Sequence, residues 1–142
     1  MGRYLFWGFK RCLYPVQKFQ SDAERRLAVI LDRDTSKWFK PAKGQFQIFY
    51  KWGVNHPEYQ PDFVAESIGG IYMLEAKAKN EMADPVVIAK RDVAVRWCHQ
   101  ASQYAASHNG KPWTYVLIPH DVIVENMTLA QLTSHYASSL DD

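Results

Sequence analysis

The sequence predicts an α/β domain: a mixed β-sheet with helices on both faces, in the order helix, strand, hairpin, long helix, strand, helix. Three stretches carry that prediction. Gln60–Lys79 (QPDFVAESIGGIYMLEAKAK) holds two runs that alternate along the chain with glycines between them, the pattern of a β-hairpin. Asp84-Pro85 opens, and Asn109-Gly110 closes, a segment whose apolar positions recur at spacings of three and four, a long helix. Lys111–Ile118 (KPWTYVLI) follows at once, β-branched and aromatic without strong alternation, a strand buried on both faces. Strand, helix and strand in that order make a β-α-β crossover, expected to be right-handed.

With 142 residues, 47% of them hydrophobic and 23% charged, the chain is one domain with room for a core. A net charge of +2 does not by itself point to nucleic acid, so any such case rests on local clustering. Cys12 and Cys98 form no C-x-x-C pair and fit a reducing compartment or plain core filling. No apolar run is long enough to cross a membrane and no signal-peptide core is visible, so no membrane partner and a cytoplasmic location are expected. There is no G-x-x-x-x-G-K-[ST], hence no ATP hydrolysis by that route.

Met1–Phe19 is aromatic and basic, interrupted by Gly8 and Pro15. Such an apolar terminus either pairs with the domain or is a connector from a larger polypeptide. The expected division is 1–19 connector, 20–138 domain and 139–142 frayed tail. Ser21-Asp22-Ala23-Glu24 is a capping box that opens a helix through about Asp34, with Leu27, Val29 or Ile30, and Leu31 buried. Ser36–Trp52 carries Lys37, Lys40, Lys43 and Lys51 among six aromatics and no acid. Within it Gln45–Trp52 alternates, with Phe46, Ile48, Tyr50 and Trp52 on one side, and is expected to be the first long strand. The aromatics read as core, and one or two lysines, Lys43 and Lys51 among them, as phosphate contacts. Gly53–Tyr59 is a loop, and Thr128-Leu129-Ala130-Gln131 caps a last short helix.

The hairpin has two admissible registers. If Glu66 pairs with Ile71, Asp62 lies opposite Glu75; if the loop tightens to Gly69-Gly70, Asp62 faces Lys77 and Glu75 faces Val64. In both, Asp62, Glu75 and Lys77 share one face of the sheet. Two carboxylates that close repel unless a cation sits between them. A divalent metal with oxygen ligands meets that need, and the lysine is placed to orient its water.

Pro61-Asp62, a gap of twelve residues and then Glu75-Ala76-Lys77 resemble the PD-(D/E)XK nuclease motif. The words YQPDFVAE and IYMLEAK are most similar to the C-terminal nuclease domain of type III restriction enzyme subunits and related helicase–nuclease proteins, over roughly Phe19 to His120. The resemblance implies a restriction-endonuclease-like αβββαβ core and hydrolysis of a DNA phosphodiester. It implies Mg²⁺, with Mn²⁺ as a substitute, on Asp62, Glu75 and the Ala76 carbonyl, with Lys77 at the attacking water or the scissile phosphate. A first-helix acid in the Glu24 position often joins such a site. Two readings of Glu24 therefore stand together, metal ligand and capping residue. Gln100 and Tyr104, one turn apart, resemble the Q-x-x-x-Y helix motif of RecB-like nucleases, which supports the site and the DNA. Lys79 lies on the face of Lys77 and is a stand-in for it. The implied partners are DNA, a helicase or translocase region upstream, a methyltransferase subunit, and a second copy for double-strand cleavage.

Three other readings compete. Asp62, Glu75 and Lys77 as an exposed salt-bridge cluster would contribute about 0–1 kcal/mol and nothing else. A catalytically silent DNA-binding or docking module would keep the fold without binding metal. A zinc enzyme fits poorly, because His56, His99, His108, His120 and His135 show no i, i+4 pairing and no cysteine at ligand spacing.

Overall fold

The structure, a computed structural model, describes residues 4–14 and 16–141, with backbone alone for 4–7, 16 and 17. Expectations for Met1–Arg3, Pro15, Asp142 and the side chains of Tyr4, Phe6 and Trp7 lie outside those residues. In chain order the elements are β1 Tyr4–Trp7, β2 Val16–Phe19, α1 Asp22–Asp34, β3 Lys37–Phe39, β4 Ile48–Phe49 and β5 Glu58–Tyr59. There follow β6 Phe63–Ser67, β7 Gly70–Lys77, α2 Pro85–Ser107, β8 Trp113–Pro119, α3 Leu129–Tyr136 and β9 Ala137–Ser138. Single 3₁₀ turns at Lys79–Glu81 and His120–Val122 join the larger pieces.

Five strands form one mixed sheet in the order β3-β6-β7-β8-β9, parallel only between β7 and β8 and antiparallel elsewhere. That parallel pair is the one joined through α2, as the β-α-β pattern requires. Alternation then sorts the side chains. Phe63, Ala65, Leu74, Ala76, Val116 and Ile118 pack with Leu27, Ile30 and Leu31 of α1 and Leu129 and Leu132 of α3. Met73, Tyr115 and Leu117 face the other way, onto Val87, Ala94, Val95 and Cys98 of α2. Helices therefore cover both faces of the sheet, with a core on each side.

The caps fall where the chemistry places them. Ser21 Oγ accepts from the Glu24 amide at 3.1 Å, Asp84 Oδ1 from the Val86 amide at 2.8 Å, and Thr128 and Gln131 close a full capping box. Where the chain before α1 is described it packs on the domain. The Lys10 and Arg11 amides donate to Asp32, the Arg11 guanidinium to the Arg33 and Thr35 carbonyls, and Phe9 sets its edge on Trp38.

Two expectations differ from the structure. Gln45–Trp52 is not a long strand. Gln47 takes a left-handed backbone (φ 54°), as does Gly44 (φ 81°), so the regular strand shrinks to Ile48–Phe49, in a two-stranded ribbon with β5 that Tyr50 and Trp52 extend by hydrogen bonds to Pro57 and Asn55. The short β3 takes the sheet edge, Trp38 opposite Ala65. The spacing predicts a stripe of Val86, Ala89 or Lys90, Val93, Trp97, Ala101 and Tyr104 on α2; the fully buried residues are instead Val87, Ala94, Val95, Cys98 and Ala105, and Tyr104 is 67% exposed. Ala137 and Ser138 pair with Val116 and Tyr115 just before the expected tail at 139–142.

Candidate active site

The hairpin settles in the first of its two registers, Glu66 opposite Ile71 and Phe63 opposite Leu74, turning through Ile68-Gly69. One further step along that ladder puts Asp62 beside Glu75. Pro61 precedes Asp62, and β6 begins after it; Asp62 Oδ2 accepts from the Ala76 amide at 2.9 Å, which anchors the acid at the end of the strand pair. The two carboxyl groups are close enough that the charge of Asp62 helps to raise the Glu75 pKa. Lys77, two residues on and on the same face, brings Nζ to 4.0 Å from Glu75 Oε2.

Glu75 is buried, and its other oxygen, Oε1, accepts a 2.6 Å hydrogen bond from the Tyr59 hydroxyl. That hydroxyl also meets the Tyr115 hydroxyl at 2.9 Å. Burial first, and the charge of Asp62 second, hold the Glu75 carboxyl well above the usual carboxylate range. Both phenols are pushed up as well, chiefly by burial and then by the charge of Glu75, so they stay protonated and available as donors. The site is thus a buried acid with one oxygen committed to a tyrosine and the other facing a second acid and a lysine.

Glu24 has partners of its own. Its Oε1 forms an ion pair with Lys40, and its Oε2 accepts from the Gln20 amide at 3.3 Å, one residue before the amide that a capping box would use. Lys40 follows β3 and lays its ammonium over the Phe63 and Phe19 rings, 4.8 and 5.6 Å from their centroids. Burial lowers its pKa, and the charges of Asp62 and Glu75 oppose that shift. Lys40 therefore stands between the α1 acid and the hairpin acids.

The remaining sequence-predicted residues are not brought to this cluster. Lys43, Lys51 and Lys79 are exposed. Gln100 and Tyr104 are exposed in the second half of α2, roughly 22 Å of helix beyond its start. The Ser102 hydroxyl nearby bonds both the Trp113 amide and its carbonyl, at the end of β8 remote from Lys77. Tyr104 instead stacks on His108 at 3.9 Å.

Lys40, Tyr59 and Tyr115 were not picked out by sequence reasoning. Lys40 sits in a basic window that reads as phosphate contacts, and the tyrosines sit in patterns that read as packing. A hydroxyl two residues before Pro61-Asp62 is the one local hint.

Among the described residues no three His, Cys, Asp or Glu side chains converge to hold a metal ion. Hydrogen bonds from Tyr59 and Ala76 engage Glu75 Oε1 and Asp62 Oδ2; the second oxygen of each, with the Ala76 carbonyl, is a hard donor of the kind that suits Mg²⁺ completed by water. The donor set fits that ion, and Glu24 is paired with Lys40. Comparison with protein-family models, with curated proteins and with solved structures finds no match to this chain.

Proposed function

We propose that this chain is a Mg²⁺-dependent deoxyribonuclease domain of restriction-endonuclease-like type, the cleavage module of a type III restriction-like helicase–nuclease. One observation carries the reading: two carboxyl groups side by side at a strand end, one of them buried and with its pKa raised by that burial and by the charge of the other, with a lysine at 4.0 Å. Such an arrangement lacks a cation that its own charge calls for.

In this reading Asp62 and Glu75, with the Ala76 carbonyl, hold Mg²⁺, and Mn²⁺ can replace it. When bound, the ion acidifies water and neutralises charge that develops on the phosphate. The chain supplies the rest. Tyr59 fixes Glu75 Oε1 so that Oε2 alone turns to the site. The Ala76 amide does the same for Asp62 by engaging Oδ2. Lys77 orients the attacking water or holds the scissile phosphate. Its partners are DNA, a motor region upstream, a methyltransferase subunit and, for double-strand cleavage, a second copy of the chain. Its compartment is the cytoplasm.

Calorimetric titration of Mg²⁺ and Mn²⁺ into the wild type and into Asp62→Ala tests the site. Weak binding is expected, and Asp62→Ala should abolish it. Lys77→Ala should then bind the ion yet nick supercoiled plasmid about 10²- to 10⁴-fold more slowly. No binding even with DNA present would leave the carboxylates as salt-bridge partners and the chain as a DNA-binding or docking module.

A further inference from the structure

The β4–β5 ribbon stands apart from the main sheet but is rooted in the site. At its base Ile48, Tyr50 and Tyr59 are buried, the last bonded to Glu75, and Lys90 of α2 sits 5.7 Å from the Tyr50 ring. At its tip the Trp52 and Asn55 amides and carbonyls exchange two hydrogen bonds, 2.9 and 3.0 Å, around Gly53-Val54, with Gly53 in the left-handed backbone (φ 62°) that such a turn needs. The tip is therefore a defined turn.

What it displays is unusual for a surface. Phe49, Trp52 and Val54 are 54%, 45% and 94% exposed, and Lys51 lies between the two rings in sequence. From Lys40 to Pro57 the chain has three lysines, a histidine and no acid. Among the described residues neither Lys43 nor Lys51 forms an ion pair. Burying a protein-sized interface takes about 800 Å² from each partner, far more than a four-residue turn presents. One stacked base and its phosphate need only a ring and an ammonium.

We propose that this ribbon is an arm that grips a DNA strand beside the acid pair, Trp52 and Phe49 stacking on unpaired bases and Lys51 and Lys43 on the phosphates. The arm rests on the nuclease reading for its substrate class. Tyr59 and Asn55 are four residues apart, so the tip reaches roughly 13 Å from the site, a span of a few nucleotides.

The test uses the full chain in EDTA, where no cleavage occurs, and follows the anisotropy of a fluorescein-labelled single-stranded oligonucleotide. Trp52→Ala should weaken binding about 5- to 100-fold. Lys51→Glu should weaken it and lower the slope of log affinity against log salt by about one. Both sites are exposed, so thermal melting should match the wild type. Unchanged affinity in both variants, or a wild type that does not bind the oligonucleotide, overturns the arm. Neither result touches metal binding and plasmid nicking, on which the nuclease reading stands or falls separately.

Discussion

Glu24 on α1 and Glu75 on the central strand β7 are the same residue type, each 6% exposed, and they have opposite neighbours. Glu24 meets an ammonium, Lys40, and a backbone amide. Glu75 meets a phenol and another carboxyl group, with its nearest cation at 4.0 Å. Burial alone thus does not decide what an acid does. Glu24 is neutralised within the protein by Lys40. Glu75 is left short of positive charge, which stabilises nothing in the metal-free chain and makes a cation welcome.

The largest effect should come from breaking the satisfied side. Lys40→Met removes the cation and leaves Glu24 buried and charged. We expect a loss of about 2–3 kcal/mol, somewhat below that of a fully buried pair because Lys40 is partly exposed. Thermal melting should then fall by roughly 10 °C. Adding Glu24→Gln to Lys40→Met should restore most of it. A single-variant loss below about 0.5 kcal/mol would reclassify the pair as an ordinary surface contact and dissolve the contrast with Glu75.

The same contrast explains what was legible in the sequence. Ser21, Asp84 and Thr128 could be read as caps because a cap is decided within three residues. The face shared by Asp62, Glu75 and Lys77 was legible too, since alternation fixes it in either register. The two contacts that give the acids their different fates each span sixteen residues, Lys40 to Glu24 and Tyr59 to Glu75, and neither belongs to a period. The false long strand over Gln45–Trp52 has a similar cause. Its alternation was real, but Gln47 in a left-handed conformation is not announced by glutamine. Lysines and tyrosines carry both packing and chemistry, and composition does not say which.

A middling effect is expected on the unsatisfied side. Tyr59→Phe deletes the donor to Glu75 Oε1 and strands the Tyr115 hydroxyl, at a cost of about 1–2 kcal/mol in urea unfolding. If Tyr59 also aims Glu75 at a cation, Mn²⁺ affinity should drop about 10- to 100-fold. Lower stability with unchanged Mn²⁺ affinity would make Tyr59 a packing residue only, and Glu75 would lose its claim to be held for a ligand.

The smallest effect has the opposite sign. Burial, then the charge of Asp62, raises the Glu75 carboxyl above its ordinary value. A group raised in this way contributes stability that is complete below the unfolded glutamate value, about 4.3, and is lost as pH climbs through the folded one. The metal-free protein should therefore weaken with rising pH over that interval. Glu75→Gln keeps the shape, still accepts from Tyr59, and offers Asp62 an amide in place of a charge. It should be more stable than the wild type at pH 8 by about 1 kcal/mol and should flatten that part of the profile. Mg²⁺ reverses the ranking, because it stabilises the wild type in proportion to its binding and has little to hold in the variant. A Glu75→Gln profile parallel to the wild type without metal would show that the acid pair carries no stored repulsion. Glu75 would then be as settled in its pocket as Glu24 is beside Lys40.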